Sequence, residues 1–162
     1  MTSICAIGID PGLVHTGAVE LCLNPGFKQW SVRYKLYDGV SSGSLLAVSH
    51  FCMNTRPVFI EAYQPRSHWG GDKDMISAIS ELKRLIPGAV TINNTGVKQV
   101  VTAAFMDALK MWAFPLTSHH QDLRAAARIC LYGMLKDDAM NRILAEFIQD
   151  YVDGNYWEYI NV

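Results

Sequence analysis

The stretch ICAIGIDPGLVHTG, residues 4–17, decides the fold. Ile4 to Ile9 is a short apolar run closed by a Pro11-Gly12 turn signal, which predicts a strand buried on both faces and ending on the carboxylate of Asp10. An isolated buried charge is costly, so Asp10 needs a partner. It can cap the turn through neighbouring N–H groups, pair with a distant arginine, or bind a metal, and this stretch alone leaves the three open.

Outward from it, Thr16 to Leu23 is a second strand after a short loop, so the two predict a hairpin. From Trp30 to Tyr37 the positions Trp30, Val32, Tyr34 and Leu36 alternate with Ser31, Arg33 and Lys35, the pattern of a half-buried antiparallel outer strand. Ser44 to Met53 predicts a helix on the sheet. Val58 to Glu61 repeats the logic of the first strand, and reaching it through a helical crossover makes it parallel to that strand. Asp74 can cap a helix whose apolar face is Met75, Ile76, Ile79, Leu82 and Ile86, either core or dimer interface. Ala89 to Ile92 is a fifth strand, and Val97 to about Trp112 predicts one helix. Ser118 and Gln121 form a capping-box signature for a long helix through Leu123, Ala126, Ile129 and Leu131, and Asp138 starts a last amphipathic helix. The expected fold is α/β, with a mixed five-stranded sheet of three antiparallel then two parallel strands flanked by helices.

With 162 residues, half of them hydrophobic, the chain is expected to form a single domain, residues 1–162, with about 138–162 as an appendage. The formal net charge of −1 counts against holding nucleic acid by broad phosphate neutralisation, although an acidic metal site and tail can mask a local basic surface. Cys5, Cys22, Cys52 and Cys130 are widely spaced in apolar segments and predict reduced, buried thiols. No apolar run reaches bilayer length and no signal-peptide pattern opens the chain, so a cytoplasmic protein without membrane contact is expected. No organic cofactor is expected.

In the predicted sheet, Asp10 and Glu61 stand at neighbouring strand ends, where open α/β sheets bind ligands. Asp122 lies in the first turns of a long helix, where the helix dipole favours negative charge, and His119 lies three residues earlier. Three carboxylates and an imidazole brought together either raise one another's pKa or recruit a cation, and an oxygen-rich set selects magnesium or manganese. Such a cluster can hold two cations about 3.5–4 Å apart, flanking a phosphodiester that is being cut.

The segments IGIDPGLVHTG, VFIEAYQPR, GVKQVVT and HHQDLRAAARICLYG, in this order, resemble the RuvC-type Holliday-junction resolvases of the ribonuclease H-like superfamily. The resemblance covers roughly residues 4–135, and the short length suggests a phage-encoded member. It implies that Asp10, Glu61, His119 and Asp122 bind two Mg2+ ions, with Mn2+ able to substitute. A homodimer that resolves four-way DNA junctions by paired phosphodiester hydrolysis is implied with it, and it would act in the host cytoplasm. Lys98 matches a basic residue that contacts phosphates near the cut. Tyr63, His68 and Trp69 are candidates for the aromatic side chain that enters the junction, since stacking needs only a flat face. Arg66, Lys73, Arg124 and Arg128 can form a phosphate track, or Arg124 and Arg128 can pair with acidic surface residues. His15 and His120 read as surface histidines. A broader flap or Y-branch nuclease or an RNA-processing relative would share every ligand, and a catalytically inactive junction-binding protein is the non-enzyme alternative.

Overall fold

The computed structural model describes residues 2–65, 70–116 and 118–162. Strand β1 (Ile4–Asp10) pairs antiparallel with β2 (His15–Asn24), and β2 with β3 (Gln29–Asp38). On the other side of β1, β4 (Val58–Glu61) and then β5 (Val90–Ile92) run parallel to it. This is the predicted order of three antiparallel and two parallel strands. The count differs by one: β6 (Glu158–Tyr159), from the tail, pairs parallel with β3 at Gln29 and Trp30, giving a six-stranded sheet in the order β5-β4-β1-β2-β3-β6. β3 is therefore an inner strand. A two-residue strand carries too little periodicity to be read from sequence.

Side chains alternate across a strand, and that alternation sorts the core into two layers. Ile7, Ile9, Ala18, Val58 and Ile60 point to one face, where helices α1 (Ser42–Phe51) and α2 (Asp72–Leu85) supply Leu45, Val48, Ala78 and Leu82. Ala6, Val19, Leu21 and Phe59 point to the other. There the core is completed by the short helices α3 (Val97–Val100) and α4 (Ala103–Ala108) and by α5 (His120–Lys136) and α6 (Asp138–Val152). The face of α2 is thus core, through Met75, Ala78 and Leu82, while Ile76 is exposed. The segment expected as an appendage shares the larger core through Met140, Leu144, Phe147 and Trp157.

Four local expectations are corrected. Cys5 and Cys22 are joined in a disulfide, because the hairpin register sets them directly opposite each other; only Cys52 and Cys130 are free, buried thiols. The segment from Val97 is two helices, since the β-branched run Val100-Val101-Thr102 leaves the helix at Val101 and Thr102 caps a new one by accepting from the Phe105 N–H. Asp74 does not cap α2, whose N-cap is Gly71. Ser118 does not cap α5; His119 occupies that position at φ 64°, with no side-chain hydrogen bond to the helix.

Candidate metal and nucleic-acid site

The same period-two rule that builds the core aims the acidic residues. Ala6, Gly8 and Asp10 share the face of β1 that α5 covers, and Phe59 and Glu61 share that face of β4. Ile9 is paired with Ile60 across the parallel ladder, so the next residues along, Asp10 and Glu61, emerge side by side. Asp10 hydrogen-bonds to the Glu61 side chain.

Two glycines bring the third carboxylate in. A Cβ on Gly8 would lie 2.0 Å from the Ala126 carbonyl oxygen, and one on Gly17 would lie 2.6 Å from that of Asp122. Helix α5 therefore rests directly on the strand backbones at both points. Gly17 is the hairpin partner of Asp10, so contact of Asp122 with Gly17 is contact beside Asp10. The electrostatics agree. Burial pushes the Asp10 carboxyl up to about 10, helped by the hydrogen bond and charge of Glu61 and by the charge of Asp122.

The histidine lies further out. His119 Nδ1 is 4.0 Å from Asp122 Oδ2, beyond hydrogen-bonding distance, and its side chain is 47% exposed. Its ring packs on His15, centroids 4.1 Å apart, and His15 Nδ1 is buried with no hydrogen-bond partner among the described residues. His15 thus belongs to the rim of the site. His120 is engaged elsewhere, accepting from the Phe114 N–H at Nδ1 and donating from Nε2 to the Leu116 carbonyl at 2.8 Å.

Around the carboxylates lie two adjoining cavities that share Glu61 and Asn94. One, of about 240 Å³, is lined by Asp10, Glu61, Tyr63, Gln64 and Asn94. The other, of about 300 Å³, is lined by Glu61, Asn94, Lys98, Ala125, Arg128 and Ile129 among others. Asn94 donates to Glu61 Oε1 at 2.5 Å, a contact that no motif announces, because it comes from the loop after β5. Tyr63 reaches the first cavity with its hydroxyl bonded to Asp72. Lys73 is exposed in the first turn of α2. Arg124 donates from Nε to the Trp112 carbonyl at 2.7 Å and stacks over that ring at 3.8 Å. Arg66, His68 and Trp69 lie outside the described residues.

Among the described residues, no group of three or more His, Cys, Asp and Glu side chains is assembled as a complete metal cage. The donor chemistry nevertheless fits a hard divalent cation. Burial holds a proton on Asp10 beside the charges of Glu61 and Asp122, and a cation displacing that proton would offset the crowding of the carboxylates.

No protein-family model matches the chain, and no curated protein sequence does. Solved structures do. RuvC of Thermus thermophilus, solved in complex with Holliday junction substrate, aligns at TM-score 0.57 and 17% identity over 88% of this chain and 95% of that one. The fowlpox virus Holliday junction resolvase aligns at TM-score 0.54 and 12% identity over 86% and 99%. The nuclease domain of the P22 large terminase aligns at TM-score 0.50 and 10% identity over 87% and 85%. The chain has the ribonuclease H-like fold that these nucleases share.

Proposed function

We propose that this chain is a divalent-metal-dependent nuclease of the ribonuclease H-like type that hydrolyses phosphodiesters of branched DNA, with the four-way junction as its preferred substrate and a homodimer as its working form. The observation that carries the reading is the Asp10–Glu61 carboxylate pair with Asp122 beside it, at the strand ends where α/β sheets bind ligands. The resolvases among its structural neighbours support it.

In this reading Asp10, Glu61 and Asp122 hold two Mg2+ ions, or Mn2+ in their place, with His119 as the outermost donor. Bound cations supply charge neutralisation for the attacking and leaving oxygens of the phosphodiester. The chain's own groups do the rest. Asn94 fixes Glu61 by donating to its Oε1. Lys98, exposed on the rim of the larger cavity, is placed to neutralise a non-bridging phosphate oxygen, and Tyr63 offers a flat face within the smaller cavity. The near-zero net charge then confines DNA contact to this one face.

The test is magnesium-dependent cleavage of a labelled four-way junction beside duplex, Y-shaped, flap and RNA–DNA hybrid substrates, with Asp10→Asn as the blank. Paired symmetric nicks on the junction alone are the expected result. Equal cutting of flaps and Y-forms would make the protein a general branched-DNA nuclease. No cutting of any substrate by the unaltered chain would remove the enzymatic reading.

A further inference from the structure

The larger cavity contains a cation that the carboxylate site does not explain. Arg128 lines it from α5, and its Nε is buried with no hydrogen-bond partner among the described residues. One turn earlier, Arg124 is committed to Trp112 through its Nε and its stacked guanidinium, and the Arg128 guanidinium lies 5.5 Å from the centre of the same ring. Two like charges four residues apart on a helix repel. Burial and the neighbouring Arg124 charge both pull the Arg128 guanidinium below its ordinary value. Among the described residues neither arginine has a carboxylate partner, and neither does Lys98 across the cavity. The one acid in the lining is Glu61, already held by Asn94. The arrangement is a pocket of unneutralised donors, held in place by an aromatic ring and by an arginine that acts as a clamp.

We propose that Arg128, with Lys98, receives a backbone phosphate of the DNA next to the phosphate that is cut. The proposal rests on the nuclease reading above and deepens it. Six residues separate Asp122 from Arg128 on α5, which is about 9 Å along the helix axis, too far for both to serve one phosphate. A planar guanidinium fork matches two phosphate oxygens, whereas Lys98 adds a movable point charge. Ala125 and Ile129 supply the apolar part of the same lining. Arg124 is a positioning residue, since its reach is spent on Trp112.

The experiment uses junctions in which one phosphate at a time near the cut is replaced by an uncharged methylphosphonate. They are assayed for kcat and KM with the unaltered chain, Arg128→Gln, Arg128→Lys and the charge-matched control Arg142→Gln on the exposed face of α6. The unaltered chain should lose about tenfold in kcat/KM at one position other than the cut. Arg128→Gln should be about tenfold weaker through KM and indifferent to that substitution, Arg128→Lys intermediate, and Arg142→Gln unchanged. Thermal melting of Arg128→Lys guards against a folding defect in Arg128→Gln. If Arg128→Gln keeps the same sensitivity as the unaltered chain at every position, or if the unaltered chain has none, the phosphate pocket is overturned while the nuclease reading stands. If the unaltered chain neither cuts nor, in calcium, binds any branched DNA, both fall together.

Discussion

Two acidic residues on one hairpin, Glu20 and Asp10, meet opposite fates. Glu20 lies on the face of β2 that looks towards α1, and only 9% of it is exposed. It is matched there by Arg33 from β3, whose Nε and Nη2 donate to its two oxygens at 3.0 and 3.1 Å, and by the Thr55 hydroxyl. Arg33 goes on to donate to the Phe51 carbonyl and to stack over its ring, so every partner is itself held. Asp10 faces α5, and its neighbours are two more carboxylates. A buried charge kept for stability is surrounded by donors, as Glu20 is. A charge kept beside like charges has no compensation within the chain, and in the proposed reading an external cation or substrate completes the set.

The contrast is broken most severely by removing one charge from each residue in turn. Asp10→Asn keeps the shape of the side chain and is expected to lower metal-dependent cleavage by about a thousandfold or more, while the variant still folds and still shifts a four-way junction on a gel. Glu20→Gln should leave cleavage per folded molecule unchanged. Loss of activity in both to the same extent would mean that the Asp10 effect is structural.

The distance between the carboxylates can be tested without touching any of them. Gly17→Ala puts a Cβ 2.6 Å from the Asp122 carbonyl oxygen, so α5 must retreat from β2. The expected cost is on the order of 2–3 kcal/mol in urea unfolding, with cleavage reduced in the molecules that remain folded because Asp122 moves with the helix. An alanine accepted without loss of either would mean that α5 does not rest on the hairpin at this point. Glu20→Gln is expected to be milder, on the order of 1–2 kcal/mol, since Arg33 is 41% exposed and water can take over part of its pairing.

How much of this was legible beforehand follows from the range of each interaction. Asp10, Glu61 and Asp122 could be named because each sits at a boundary that sequence marks: two end apolar runs and the third opens an amphipathic helix. The strand order followed from the crossovers. What escaped reading depends on register or on contacts across the chain. Cys5 and Cys22 bond because the hairpin sets them opposite, which the turn alone does not tell. Gly8 and Gly17 look like ordinary strand glycines until α5 lies on them. His15 and Asn94 reach the site from a strand start and a loop, where no period of two or 3.6 points to them. Arg128 was visible as a basic residue, but the contact with Trp112 that gives it meaning spans sixteen positions, an irregular stretch followed by the first turns of α5.

The last expected effect is one of stability, and its sign separates Asp10 from ordinary carboxylates. In the chain free of divalent cations, folding raises the Asp10 carboxyl from about 3.8 to about 10, with burial as the leading cause and Glu61 and Asp122 behind it. Below about pH 4 the residue is protonated in both the folded and the unfolded chain and contributes no slope. Between there and about pH 10 the folded chain holds a proton that the unfolded chain has released. The unfolded state then binds fewer protons, so the Asp10 contribution to stability falls as pH rises. Asp10→Asn removes that contribution. In EDTA the variant should melt with the unaltered chain near pH 4 and above it at pH 8, by a margin that widens as pH rises between the two. Adding magnesium at pH 8 should reverse the order, because the cation binds the ionised pair of the unaltered chain and stabilises the folded state by mass action. A variant that melts below the unaltered chain in EDTA at pH 8 would mean that Asp10 is satisfied by donors, as Glu20 is, and the contrast between the two residues would disappear.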